Sequence, residues 1–119
     1  GLGPGDPRVR AAIDWMSTHW TLNDNPGLGQ QGYYYYLYTM ARALRASGLD
    51  MITTVDGVHH DWRAEMAAVI LSRQQVDGSW VNTADRWLEG RRDLATIYAI
   101  LALEEILKPR PSSPEELVP

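Results

Sequence analysis

The chain has 119 residues, enough for one domain with a hydrophobic core. Its net charge of −4 argues against a nucleic-acid-binding surface, because such surfaces need an excess of basic side chains to displace phosphate counterions. The absence of cysteine excludes disulfides, a thiol nucleophile and thiolate metal ligands. No run of about 18 apolar residues occurs, so no membrane span is predicted.

The first half of the sequence predicts two helices. Asp6-Pro7 is a typical helix start, because Asp accepts hydrogen bonds from first-turn amides and Pro lacks an N–H that would be unpaired there. Apolar residues at helical spacing then predict an amphipathic helix over residues 7–20. A second helix is predicted over residues 32–47, with aromatic and apolar side chains on most faces and Gly48 as its end.

The second half repeats this order. Residues 48–60 form a connector with room for a short extended pair around 51–55. An amphipathic helix is predicted over residues 61–74, and a mostly apolar helix over 93–107 begins at Asp93 as its N-cap. Two helical hairpins about 55 residues apart indicate an internal repeat with the apolar helices as an inner layer. The predicted fold class is therefore all-α.

The two ends of the chain lie outside this pattern. The chain begins without Met, which indicates a piece of a longer protein and leaves its compartment open, whether cytoplasmic or exported. Residues 109–119 are rich in proline and are predicted to form a poorly ordered tail, so the repeat domain would span residues 1–108. In a repeat array, neighbouring repeats would cover the flanks of this segment. We therefore predict that the flanks bind a second copy of the segment or the remaining repeats of the parent chain.

A polar turn joins the third and fourth predicted helices. Gly78 follows Asp77 and permits a positive φ, so the chain can fold Trp80 back against the helix it has just left. Gln74 is long enough to bond backbone groups that the turn leaves unpaired. These residues are therefore assigned to a structural joint rather than to a binding site.

The spacing Gln-x-x-x-Gly-x-Trp in this joint resembles the QW repeat of the squalene cyclase and protein prenyltransferase superfamily. Together with three further segments, it resembles bacterial prenyltransferase/squalene oxidase repeat proteins over residues 6–107; the segments are 25–36, 60–63 and 94–103. The resemblance implies a terpenoid cyclase-like α/α toroid, of which this chain would hold about two hairpins. It also implies that an isoprenoid or another apolar molecule is bound or converted in the central cavity.

Catalytic motifs of proteins with this fold are missing from the chain. Squalene cyclases use Asp-x-Asp-Asp, protein prenyltransferases hold zinc with Asp, Cys and His, and α-macroglobulin domains need Cys-Gly-Glu-Gln; none of these sets occurs here. No catalytic residue, metal ligand or cofactor is therefore assigned. Two functions stay open: a cyclase or prenyltransferase whose acid lies in other repeats, and a non-catalytic domain that binds a protein or glycan through its concave face or rim loops 21–32 and 81–92.

Tyrosines are the main candidates for a cavity lining. On the inner helices of a toroid, their rings could line an apolar pocket and stabilise a carbocation through their π faces. Packing between the two helix layers is the alternative. The candidates are Tyr34, Tyr35, Tyr38 and Tyr98.

Two other motifs have a structural interpretation. The segment 27–32 matches G-x-G-x-x-G, whose amides could cradle a pyrophosphate, but a turn rather than a strand precedes it. His59, His60 and Asp61 could bind a metal ion, but adjacent residues at a helix start rarely converge on one ion. Asp61 is therefore interpreted as a helix cap beside solvated histidines.

Charged residues near the second rim loop have two interpretations, as solvated surface charges or as groups at the mouth of a cavity. They are Asp85, Glu89, Arg91, Arg92 and Asp93. Glu104 and Glu105 are adjacent on a predicted helix and point in different directions, so they do not form a general acid/base pair.

Overall fold

The computed structural model describes residues 3–109. In that range the elements are α1 (Pro7–Thr18), α2 (Tyr33–Ser47), β1 (Met51–Thr53), β2 (His59–Asp61), α3 (Trp62–Ser72) and α4 (Arg92–Leu107). α2 and α4 make the most extensive contact between elements, while α1 packs on α2 and α3 packs on α4. The predicted tail lies outside the described residues except for Pro109. None of the helices in the described range has the length and apolar character needed to span a membrane.

The two strands overturn the prediction of an all-α fold. β1 and β2 form an antiparallel pair in which Met51 lies opposite Asp61 and Thr53 lies opposite His59. Ile52, at the centre of β1, is buried and belongs to the hydrophobic core. The described part of the chain is a mixed α/β globule with four helices and a small sheet, so the prediction of helical hairpins of an α/α toroid is wrong.

α4 is not enclosed as an inner-layer helix would be. Ala95, Ala99 and Ala102 are fully buried, and their small side chains allow neighbouring helices to approach closely. Ile97 and Ile100 are 53% and 43% exposed. A helix that is apolar on most faces is usually buried on most faces. Here only part of its circumference is covered by the described residues.

Local capping groups set several helix boundaries. The Asp6 carboxylate accepts a hydrogen bond from the backbone N–H of Arg8 at 2.8 Å, which confirms the predicted start of α1. Gly48 has a φ of 73° and ends α2 in the left-handed conformation, as expected for a glycine cap. The Asp61 carboxylate accepts from the backbone N–H of Ala64 at 3.2 Å and caps α3.

The predicted start of α4 needs correction. Arg91, rather than Asp93, occupies the N-cap position, and it has no side-chain capping bond. Asp93 lies in the first turn and pairs with Arg91 at 3.2 Å, where its charge complements the positive end of the helix dipole. The start of α4 is therefore stabilised by the charge of Asp93 and has no side-chain capping hydrogen bond.

The joint between α3 and α4 holds one of the largest buried side chains. Trp80 is 2% exposed, and its indole N–H donates to the carbonyl oxygen of Ile70 at 2.8 Å. Its backbone N–H donates to the hydroxyl of Thr96 at 2.9 Å, which connects the joint to α4. Gly78 has a φ of 90°, and its carbonyl accepts from the side-chain amide of Gln74 at 2.8 Å.

Asp77 stabilises the same turn from its exposed side. Its carboxylate accepts hydrogen bonds from the hydroxyl and the backbone N–H of Ser79, at 2.6 and 3.0 Å. Arg92 lies 3.3 Å from the other carboxylate oxygen. The hydrogen bond from the Ser79 hydroxyl is the largest of the causes that lower the pKa of Asp77.

Two tyrosines, the buried Tyr33 and the half-buried Tyr36, connect α2 to the loop before it. The Tyr33 hydroxyl donates to the carbonyl of Leu22 at 2.5 Å, and the Arg73 guanidinium lies 4.2 Å from the centre of its ring. The Tyr36 hydroxyl donates to the carbonyl of Thr21 at 3.3 Å. Burial disfavours the tyrosinate form and raises the pKa of both Tyr33 and Tyr36 to about 12.

We expect Trp80→Ala to lower the free energy of unfolding by about 3 kcal/mol or more, because it leaves a cavity and removes one of the two hydrogen bonds that the Ile70 carbonyl accepts. Urea denaturation followed by circular dichroism measures this change. Trp15→Ala is the matched control, since Trp15 is 45% exposed and its loss should cost less than about 1 kcal/mol. Equal costs for the two variants would contradict the structural role of Trp80.

We expect the folded state to lose stability as the pH rises from about 10 to about 12. In this range unfolded tyrosines release their protons while Tyr33 and Tyr36 retain theirs, so the folded state binds more protons and deprotonation favours unfolding. Urea midpoints across this range, together with tyrosinate absorbance, provide the measurement. Tyr33→Phe should weaken the pH dependence; a wild-type midpoint that does not fall would rule out this explanation.

Candidate functional site

A cavity of about 390 Å³ lies where two loops meet the first turn of α2. The loops are the segments 21–32 and 81–92, and they supply all the lining residues except two tyrosines. The lining residues are Asn25, Leu28, Gly32, Tyr35, Trp87, Glu89 and Tyr98. The cavity therefore combines aromatic rings with one buried acidic side chain.

Glu89 is only 1% exposed and lies against the N-terminus of α2. Its Oε1 accepts hydrogen bonds from the backbone N–H of Tyr34 at 3.0 Å and from the side-chain amide of Asn82 at 2.9 Å. Its Oε2 accepts from the backbone N–H of Tyr35 at 2.9 Å. The N-cap residue, Gly32, has no side chain that could cap the helix, so the distant carboxylate takes that role and complements the helix dipole.

The two loops are also bonded to each other. The side-chain amide of Asn82 in the second loop donates to the carbonyl of Gln30 in the first loop at 2.5 Å. Arg73, at the end of α3, donates to the side-chain oxygen of Gln30 at 2.9 Å. Within the first loop, the side-chain amide of Asn25 donates to the carbonyl of Gln31 at 2.9 Å. These bonds give the cavity walls fixed positions relative to α2.

A strained residue precedes Glu89. Leu88 has a φ of 67°, a left-handed conformation that costs a residue with a side chain about 1 kcal/mol. Hydrogen bonds from Leu88 N–H to the Asp85 carbonyl, at 3.0 Å, and from Asn82 N–H to the Glu89 carbonyl, at 3.0 Å, hold the loop in this shape. The strain lies beside the buried carboxylate, as is common at functional sites.

The aromatic side of the cavity consists of partly exposed rings. Tyr35 and Tyr98 meet edge to face, with ring centres 5.3 Å apart and planes at 68°. Tyr35 and Trp87 are 53% and 45% exposed, so both can be reached from solvent. The guanidinium of Arg86 lies 5.0 Å from the ring centre of Trp87. The cavity therefore combines rings that are partly exposed with a carboxylate that is 1% exposed.

The tyrosine candidates from the sequence occupy different environments. Tyr35 and Tyr98 line the cavity. Tyr38 stacks on Tyr98 from outside the lining, with ring centres 6.4 Å apart. Tyr34 is 3% exposed and packs in the core against Tyr33, so its contribution to the site is its backbone N–H.

The lining residues other than Tyr35 and Tyr98 were not singled out as cavity residues from the sequence. Asn25, Leu28, Gly32 and Trp87 were covered only by the rim loops 21–32 and 81–92, and Glu89 was one of five charges with two interpretations. One sequence signal points to Glu89: the second helix starts at Gly32, so its first amides need a capping group from elsewhere. Which acidic residue provides it is decided only by the folded structure.

The glycine-rich segment has no free anion site. Gly27, Gly29 and Gly32 have φ values of 82°, 62° and 65°, which side-chain-bearing residues rarely adopt. The amides of Tyr34 and Tyr35 that follow are bonded to Glu89. A pyrophosphate at this helix end would meet a carboxylate, which agrees with the interpretation of the segment as a tight loop.

The adjacent histidines are not simply solvated. The Nδ1 atom of His60 lies 2.9 Å from a carboxylate oxygen of Glu65, and its ring lies 5.0 Å from that of Trp20. The Nδ1 atom of His59 lies 2.7 Å from the hydroxyl of Thr53. Across residues 3–109, no group of three or more acidic and histidine side chains is placed to hold a metal ion.

The acidic pair in α4 does not converge. Glu104 is exposed, whereas Glu105 is 8% exposed and pairs with Lys108 at 2.9 Å. The two carboxylates lie in different environments and do not form an acid/base pair. Glu104 thus provides an exposed carboxylate outside the cavity lining.

Comparisons of the chain with protein-family models, with curated proteins and with solved structures found no match. The resemblance to squalene cyclase and prenyltransferase repeats therefore stays a prediction carried by the quoted motifs. The residues of the cavity are the basis for a functional proposal.

We expect Gly32→Ala to be more destabilising than Gly29→Ala. Both positions have positive φ, so each change should cost about 1 kcal/mol in backbone strain. A Cβ at residue 32 would also lie 2.9 Å from the ring of Trp87, whereas a Cβ at residue 29 would meet open space. Urea denaturation should give an additional loss of about 1 kcal/mol for Gly32→Ala.

A Trp87→Ala background provides the control for this pair. Removing the indole should abolish the difference between the two alanine variants, since it removes the clash and leaves the backbone strain. If the difference persisted without Trp87, the contact between Gly32 and the indole would not be its cause.

Proposed function

We propose that the protein binds a small molecule with an apolar body in the cavity between segments 21–32, 81–92 and the start of α2. The observation that carries the proposal is the combination of Tyr35, Trp87 and Tyr98 with the buried Glu89 in one concave site. Ligand sites are typically apolar and aromatic clefts with few, well-placed polar groups.

The volume of the cavity limits the size of the ligand. A volume of about 390 Å³ lies within the range of about 300–1,000 Å³ that is typical of small-molecule pockets, and a short isoprenoid fits this space. The expected handling of an isoprenoid or other apolar molecule is therefore proposed for short ligands only.

The hydrogen bonds that fix the cavity walls support the proposal of a binding site. Asn82 and Glu89 connect the second loop to the first loop and to α2. A site whose walls are held by such bonds loses less conformational entropy when a ligand enters. The proposal concerns binding, and it assigns no catalytic residue.

We expect 2-phenylethanol, a neutral probe with an aromatic body, to bind in the cavity with a dissociation constant of about 1 mM or lower. Nitrogen-15 NMR titration should shift the backbone amide of Tyr35 and the indole N–H of Trp87. Tyr35→Ala should weaken binding by about tenfold, because it removes one face of the site.

Trp15→Ala is the control for ring removal, since Trp15 is an exposed aromatic residue of α1 outside the cavity lining. It should leave the affinity unchanged. Shifts scattered over the surface, or equal effects of Tyr35→Ala and Trp15→Ala, would contradict a binding site in this cavity.

A second candidate is binding of a protein or glycan by the loops at the cavity mouth. Leu28, Trp87 and Leu88 are 40%, 45% and 55% exposed, and exposed apolar groups that lie together mark interaction surfaces. The two candidates differ in the residues that a partner would cover. Loss of solvent exposure at Leu28 and Leu88 on adding a partner, without any change in the environment of Glu89 and Tyr98, would favour binding of a protein or glycan.

A further inference from the structure

We infer that the cavity selects an organic ammonium ion, with its apolar body against the aromatic rings and its N–H directed to Glu89. This inference rests on the proposed function, since it names the class of ligand for the same site. It follows from the charge of Glu89, from the acceptor capacity of its Oε2 atom and from the aromatic residues that line the same cavity.

The charge of Glu89 is only partly balanced by the described residues. The helix N-terminus that it caps provides roughly half a positive elementary charge. Across residues 3–109, no Lys, Arg or His nitrogen lies within the 4.0 Å of an ion pair with its carboxylate. A buried acidic group with incomplete charge compensation attracts a cation.

One carboxylate oxygen has room for another donor. Among the described residues, Oε1 accepts two hydrogen bonds, from Tyr34 and Asn82, whereas Oε2 accepts one, from Tyr35. A carboxylate oxygen has two lone pairs, so Oε2 retains one acceptor site. Glu89 lines the cavity, so a ligand N–H can supply the missing bond. Such charge-assisted bonds are about twice as strong as neutral ones.

The aromatic rings of the cavity also favour a positively charged ligand. Aromatic faces attract cations within about 6 Å of the ring centre, and tryptophan does so most strongly. The Arg86 guanidinium lies 5.0 Å from the centre of the Trp87 ring, so this ring already attracts a cation of the protein itself. Tyr35 and Tyr98 provide further ring surface in the cavity. A protonated amine can therefore use both the carboxylate and the rings.

An anionic ligand does not fit this arrangement. The helix amides that could bind an anion already donate to Glu89. An incoming carboxylate or phosphate would meet the negative charge of Glu89 and the negative faces of the rings. A neutral ligand would gain the apolar contacts alone.

The test compares 2-phenylethylamine with 2-phenylethanol, two probes of the same size and shape. The amine is protonated at about pH 7. Dissociation constants from calorimetry and from NMR shifts of the Tyr35 amide should show the ammonium ion binding at least about tenfold more tightly than the alcohol. The unmodified protein gives this comparison without any variant.

Glu89→Gln keeps the size of the side chain and removes its charge. We expect it to abolish the preference for the amine while the alcohol still binds. Glu104→Gln is the matched control, because it removes the same charge from an exposed position of α4. Trp87→Leu is a second test, since Trp87 is 45% exposed and its loss should reduce the preference without unfolding the protein.

Each outcome has a defined meaning. A preference of about tenfold that Glu89→Gln removes and Glu104→Gln retains supports the inference. Equal affinities for amine and alcohol overturn the inference and leave the proposed function standing. A preference that survives in a folded Glu89→Gln variant, or that Trp87→Leu leaves intact, also overturns the inference. No binding of either probe up to about 10 mM overturns the proposed function as well.

Discussion

The carboxylate of Glu89 connects the second loop to the first turn of α2, and the cavity depends on this connection. It accepts the amides of Tyr34 and Tyr35 and the side chain of Asn82, which in turn bonds Gln30 in the first loop. Without it, the two helix amides would lose their acceptor, which costs about 1–3 kcal/mol for each buried group, and Asn82 would keep only its bond to Gln30. The Glu89 side chain thus fixes the positions of the first loop, the second loop and the start of α2 relative to one another.

Burial of that carboxylate places a negative charge beside an aromatic wall. Glu89 is 1% exposed and lines the cavity together with Tyr35, Trp87 and Tyr98, so its charge is screened less by salt than a surface charge. The strained backbone of Leu88 and the close approach of Gly32 to the indole are tolerated in the same region. Strain, a buried charge and exposed rings coincide in one place, and this coincidence supports a binding role over a purely structural one.

Features set by neighbouring residues could be predicted from the sequence, and features set by distant residues could not. Asp6 and Gly48 act within a few residues, so the ends of their helices were predictable. The small sheet was missed in the fold class because its strands are three residues long and carry no alternating apolar pattern. The composition of α4 indicated burial on most faces, but among the described residues Ile97 is left 53% exposed. Glu89 was ambiguous because its partners lie 54 and 55 positions away.

That separation determines when the cavity can form during folding. The amides of Tyr34 and Tyr35 receive their cap only after the chain between them and Glu89 has closed a long loop. Such non-local contacts carry a loop-closure entropy and form slowly compared with helix turns. The first turn of α2 therefore depends on a distant residue for its cap, whereas later turns have hydrogen-bond partners within the helix. The cavity then exists only in the fully folded molecule, so a ligand of the proposed kind would stabilise the native state selectively.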